Sequence, residues 1–136
     1  MDNEIKRKVL EAIQDLPAAV EKGYIHPSYR HTDPLLPEPM ISSMLSASAY
    51  AQGALTFKSS FPDFRSEPVW VIADDNKSAA RWRWTGTFTG EPFDGIKPNG
   101  KSVTFEGLTM WNWKDGQVVE GITLYDINGF RRQLEA

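Results

Sequence analysis

Trp113-Lys114-Asp115-Gly116-Gln117-Val118 is the stretch on which the fold turns. An Asp-Gly pair between two runs of β-forming residues is a strong short-hairpin signal, because both loop positions of the favoured turn need φ > 0. It predicts two antiparallel strands, over 102–113 and 117–126. Upstream, the segments 69–73 and 79–89 have the same texture and are separated by the turn Asp74-Asp75-Asn76-Lys77. A Gly- and Pro-rich loop, 90–100, then leads into the hairpin. The tail from Gly129 predicts a turn of helix or a final strand extension.

Ahead of the strands the period changes. Ile5, Val9, Ala12, Ile13 and Leu16 recur at three- and four-residue spacing, which makes one apolar stripe on a helix. Pro17 breaks it, since a proline ring disfavours helix at the preceding residue. A short second helix is predicted over 18–22, stopped by Gly23. Residues 24–39 hold four of the nine prolines and both histidines, and read as an irregular connector. A third helix is predicted over 41–58, with Met44, Leu45, Ser48, Ala51 and Leu55 on one face. Helices first and a meander of strands afterwards means α+β, one domain over 1–136, with helices on one side of a curved sheet. A cup between the layers is a natural ligand site.

The composition excludes several classes of function. Net charge is −3 over 136 residues, with no basic stripe for nucleic acid. There is no cysteine, hence no disulfide, thiolate nucleophile or Cys-ligated metal, which fits a cytoplasmic protein. His26 and His31 are five apart, a spacing that suits no zinc signature, and no metal site is expected. Neither a secretory leader nor a membrane-spanning apolar run is read in the chain. Arg81-Trp82-Arg83-Trp84 alternates, with Trp82, Trp84 and Phe88 on one face and the two arginines on the other. An ion-paired outer sheet face explains it better than a nucleic-acid platform.

Counting back from the Asp115-Gly116 turn gives a register. Trp113 pairs with Val118, Trp111 with Glu120, Thr109 with Ile122, Gly107 with Leu124, and Phe105 with Asp126. All share one face. Asp126 is thereby expected beside Phe105 and Leu124, in line with Thr109, Trp111 and Trp113. A carboxylate among aromatics is poorly solvated, so its pKa should rise toward the range useful in general acid–base catalysis. The plainer reading of Asp126 is a turn residue at a strand end, bonding backbone amides.

The order Phe61-Pro62-Asp63-Phe64, then 81–90, then 95–101, the 113–120 hairpin, and finally Asp126 with Gly129-Phe130 and Arg132-Gln133-Leu134 resembles the SnoaL-like polyketide cyclase family. This family lies within the nuclear-transport-factor-two-like superfold. The N-terminal part is similar in helix layout and in His31-Thr32-Asp33-Pro34. The resemblance implies a cone-shaped barrel of helices on a strongly curved, mainly antiparallel sheet, a deep apolar cup, and a homodimer through the outer sheet face. Large apolar residues on both strand faces, Leu108 and Met110 against Phe105 and Trp111, also predict a homodimer. The resemblance further implies that Asp126 is the general acid/base of an intramolecular aldol closure on an apolar carbonyl-bearing small molecule, without cofactor. His31, Tyr29, Trp84, Phe88, Phe105, Thr109, Trp111 and Trp113 are the expected substrate-binding residues, with His31 and Tyr29 at the rim. The chain departs from the family at Phe88 and at Gly121-Ile122, where relatives carry histidine and His-Trp. Two rival functions stand beside the cyclase: a binding module without chemistry, and an isomerase of ketosteroid-isomerase type, which needs a Tyr or a protonated acid facing Asp126.

Overall fold

The computed structural model describes residues 2–32, 46–93 and 95–135. Helix α1 (Asp2–Gln14) buries Ile5, Val9 and Ala12, the stripe the spacing predicts. Helix α2 (Leu16–Glu21) starts two residues earlier than expected. Asp15 caps it by accepting the Ala18 amide at 3.1 Å, and Pro17 occupies the first turn, where a missing N–H costs nothing. Gly23 follows at φ 78°.

The segment after Gly23 is a strand. β1 (Ile25–Thr32) accommodates Pro27 through a register irregularity between Ile25 and Arg30. The connector reading is thus corrected over 25–32, and its remainder lies outside the described residues. Helix α3 (Ala47–Ser60) is capped by Ser46, whose Oγ accepts the Ala49 amide at 3.1 Å. Its inner face runs through Ala47, Tyr50, Ala54 and Phe57, while Ser48 and Leu55 are exposed. The predicted face is therefore rotated by about one residue; Met44 and Leu45, with the predicted start of that helix, fall outside the described residues.

Strands β2 (Arg65–Ala73), β3 (Lys77–Thr87), β4 (Ser102–Lys114) and β5 (Gln117–Tyr125) precede helix α4 (Ile127–Glu135). The sheet order is β1-β5-β4-β3-β2, with β1 parallel to β5 and every other pair antiparallel. Pro68 is tolerated because β2 is an edge strand and shifts register beside it. Helix α1 packs on β2 and β3, α2 on α3, α3 on β1, and α4 on β4. This is the expected α+β architecture of helices on a curved sheet.

Two cores flank the space between the layers. One joins Val9 and Ala19 to Ile25, Tyr29, Trp111, Trp113 and Val118. The other gathers Phe61, Trp84, Phe88, Phe93, Phe130 and Leu134. Full burial of an aromatic side chain contributes roughly 1.5–3 kcal/mol.

The hairpin register holds for only two steps. Asp115 (φ 52°) and Gly116 (φ 79°) form the turn, and Lys114–Gln117 and Trp113–Val118 pair as expected. The next pair is Asn112–Glu120, so Val119 is an extra residue in β5, a β-bulge. Side chains alternate with a period of two, and one inserted residue moves everything beyond it to the other face. Trp111 therefore faces Gly121, Thr109 faces Thr123, and Gly107 faces Tyr125. The expected partners Glu120, Ile122 and Leu124 lie on the outer face, and the Phe105–Asp126 pairing does not form.

Candidate active site

Four ladder rows build the inner face of the sheet. The first runs Ser78, Trp111, Gly121, His31; the second Val71, Ala80, Thr109, Thr123. The third holds Trp82, Gly107 and Tyr125, and the fourth Trp84 and Phe105. With α1, α2 and α3 above, they enclose a cavity of about 650 Å³. Its interior is walled by Val9, Ala12, Tyr50, Phe57, Trp82, Trp84, Phe105 and Trp111. Its mouth is marked by the exposed lining residues Asp15, Glu21, Leu55, Lys58 and Asp63.

Glycine sets the depth of this space at two points. A Cβ on Gly107 would lie 2.3 Å from Trp82 Cζ2, so the indole lies directly over the backbone of β4. A Cβ on Gly121 would lie 2.3 Å from Trp111 Cδ1 and 2.7 Å from Tyr29 Oη. Only glycine allows both rings to approach β5 there.

The polar groups fall into two sets. Trp82 Nε1 donates to Thr109 Oγ1 at 2.8 Å, and Thr109 Oγ1 lies 3.2 Å from Thr123 Oγ1. This places a satisfied hydroxyl pair on the sheet wall. The second set is a stack of three rings. Tyr50 from α3 stacks across both Tyr29 and His31 of β1, with ring centroids 4.7 Å and 4.5 Å away, and those two rings lie side by side with centroids 5.8 Å apart. Tyr29 Oη is 2.5 Å from His31 Nδ1. His31 is only 3% exposed, and burial pushes its imidazole down to about 4, so it is neutral at physiological pH. Burial pushes the Tyr29 phenol upward, and its contact with Tyr50 acts in the same direction. The Trp111 indole favours the phenolate, but its buried N–H has no aligned acceptor.

The structure places Trp84, Phe105, Thr109 and Trp111 on the cavity wall, and with them His31, which is buried in that wall rather than at the rim expected of it. Tyr29 stands directly behind them, fully buried rather than at a rim. Trp113 and Phe88 do not line the cavity. Trp113 donates to Ser78 Oγ at 2.9 Å within the first core, and Phe88 stacks on Phe61 in the second. Asp126 is also outside. Its carboxylate is 69% exposed, accepts the Gly129 amide at 2.8 Å, and is 3.9 Å from Arg132 Nη2. Its carbonyl accepts the Phe130 amide at 3.0 Å, the first hydrogen bond of α4. Asp126 is thus the N-cap of α4, the plainer of its two readings; β5 ends at Tyr125, one residue before it.

Tyr50, Trp82 and Thr123 are cavity residues that were not among the predicted site. Thr123 and Tyr125 reach the inner face only through the bulge, which no pattern in the sequence announces. Trp82 was legible from its alternation with Trp84. Among the described residues no group of three His, Asp or Glu side chains is placed to hold a metal ion, and no helix is long and apolar enough to cross a membrane.

The sheet and its covering helices thus enclose a cavity walled largely by aromatic side chains. The sequence matches the family model of the SnoaL-like polyketide cyclases over residues 7–134, and the chain belongs to that family. No curated protein sequence matches it significantly. Among solved structures, a protein of Jannaschia sp. CCS1 assigned as a SnoaL-like polyketide cyclase superposes with a TM-score of 0.83 at 17% identity, covering 99% of this chain and 94% of that one. IdmH of Streptomyces antibioticus, assigned as a polyketide cyclase, gives 0.76 at 19% identity, with 98% and 97% covered. TsrD of Streptomyces laurentii gives 0.76 at 20%, with 97% and 92% covered. At these identities the likeness is one of fold.

Proposed function

We propose that this protein is a cofactor-independent enzyme of polyketide-cyclase type, acting on an apolar carbonyl-bearing small molecule inside the cavity. The observation that carries the reading is the cavity itself. Its volume of about 650 Å³ lies in the range that accommodates a drug-sized ligand. Its aromatic walls fit planar apolar rings, and the Thr109–Thr123 pair, with one hydroxyl proton used between them, has one left to donate to a carbonyl oxygen. Intramolecular aldol closure needs the substrate folded with its two reacting carbons in contact, and a shaped apolar wall supplies that orientation. Proton transfer at carbon α to a carbonyl is the chemical step, shared with isomerase chemistry of ketosteroid-isomerase type. That variant would require a Tyr or a protonated acid facing Asp126 across the cavity; Tyr50 lines the cavity and Asp126 does not.

A binding function without chemistry is the second reading. It is favoured by the position of the carboxylates: Asp15, Glu21 and Asp63 lie at the mouth, and Asp15 and Asp63 are committed to backbone amides. The two readings separate on one experiment with 2-tetralone, a compact bicyclic ketone. Quenching of Trp82, Trp84 and Trp111 fluorescence reports binding, and NMR in D₂O reports deuterium entering the α-carbon. Binding with accelerated exchange supports the enzyme. Binding with exchange at the buffer rate supports the binder.

A homodimer belongs to the same proposal. The outer face of the sheet carries the rows Ile72, Ala79, Met110, Ile122 and Trp70, Arg81, Leu108, Leu124. Ile72 and Trp70 are 61% and 41% exposed. Flanking these rows are Lys77, Asn112 and Glu120 on one side and Glu67, Arg83 and Glu106 on the other, charges of both signs that a second copy can match. A cytoplasmic setting accords with the lack of cysteine.

A further inference from the structure

We infer that His31 is the group that takes and returns the proton in the cavity, and that Tyr29 is its positioning residue. The inference rests on the proposed proton-transfer chemistry and names the residue that performs it. Aldol closure needs a base at the α-carbon and an acid at the new alkoxide. The carboxylates of the cavity lining are at its mouth, whereas His31 belongs to the inner wall, in the same ladder row as Trp111 and Gly121. Tyr29 Oη holds Nδ1 at 2.5 Å, which leaves Nε2 for a ligand.

The role requires one tautomer: with the imidazole proton on Nδ1, Tyr29 Oη accepts from Nδ1–H and Nε2 carries a lone pair. Tyr50, stacked on the imidazole at 4.5 Å, fixes the ring plane, and Gly121 opens the room into which Tyr29 Oη reaches. Gly121 is the ladder neighbour of His31 across β1 and β5.

The step balances without a cofactor. Nε2 takes the proton from the α-carbon as the C–H bond breaks, and the electron pair moves onto the carbonyl oxygen as an enolate. The enolate carbon then attacks the second carbonyl of the same molecule, forming a C–C bond and an alkoxide. The imidazolium returns the proton to that alkoxide. A low basicity in the empty cavity is compatible with this role, since enolate and imidazolium form together as an ion pair and neither charge is buried alone.

The test joins two measurements. In ¹⁵N-labelled protein, long-range proton–nitrogen correlation should give His31 a protonated Nδ1 and a bare Nε2 at pH 7, with Nε2 moving when 2-tetralone is added. In D₂O, His31→Gln should lower the α-deuteration of 2-tetralone by about a hundredfold or more with ligand quenching retained. Tyr29→Phe should keep partial exchange while populating both tautomers. A protonated Nε2, or a wild-type exchange rate in His31→Gln, overturns the assignment and leaves the enzyme reading standing. Exchange at the buffer rate in the wild type overturns the enzyme reading and the assignment together.

Discussion

Gly121 stands beside His31 in the parallel ladder of β1 and β5, and the missing side chain of the first makes room for the support of the second. A Cβ at 121 would come within 2.7 Å of Tyr29 Oη and 2.3 Å of Trp111 Cδ1. Gly121→Ala should therefore act as an overpacking substitution, destabilising by about 1–3 kcal/mol in urea titrations. It should also displace Tyr29 from His31, read as a changed ¹⁵N tautomer. An alanine variant of wild-type stability would contradict this packing.

Burial of His31 predicts a pH dependence of stability. Its pKa falls from 6.5 unfolded to about 4 folded. Between those values the unfolded chain binds more protons, so stability is complete above pH 6.5 and declines as the pH falls toward 4. The loss is on the order of 3 kcal/mol, read from denaturation midpoints across pH 4–7. Tyr29 and Tyr50 contact the ring, and the acidic groups of the cavity lining stand at its mouth. The pKa values of Asp63 and Asp74 are lowered by backbone amides, so their effects come at lower pH. His31→Gln should flatten the slope between pH 4 and 6.5.

Asp126 should behave as a helix cap. Asp126→Ala removes the acceptor for the Gly129 amide and should cost about 0.5–2 kcal/mol, whereas Asp126→Asn should be nearly neutral. Thermal melts of the two variants check this. Equal losses in both would point to a role for the charge instead.

Thr109 is the shared partner of Trp82 and Thr123. Thr109→Val keeps the shape but strands the Trp82 N–H, at a cost of about 1–3 kcal/mol. Thr109→Ser should recover most of it. Chemical denaturation of the pair is the measurement.

The dimer proposal makes a surface prediction. The wild type should elute as a dimer in size-exclusion with light scattering, and Ile72→Glu should yield a folded monomer. A monomeric wild type at micromolar concentration would contradict it.

The sequence made the local structure legible. The stripe through Ile5, Val9 and Ala12, the Asp115-Gly116 turn and the alternating Trp82 and Trp84 all depend on neighbours a few residues away. What stayed hidden is non-local. β1 contains Pro27 and pairs in parallel with a strand about ninety residues on, so nothing near it in the chain signals a strand. The bulge at Val119 is masked because Val118 and Val119 are both apolar and either could face inward. That one residue moved Thr123 and Tyr125 into the cavity. His31 read as a loop histidine for the same reason that β1 read as a connector.

The most direct measurement sets two variants side by side. The rate of α-deuteration of 2-tetralone should be near wild type in Asp126→Asn and lower by about a hundredfold or more in His31→Gln. The reverse order, with Asp126→Asn inactive and His31→Gln unimpaired, would contradict the account of where the chemistry takes place.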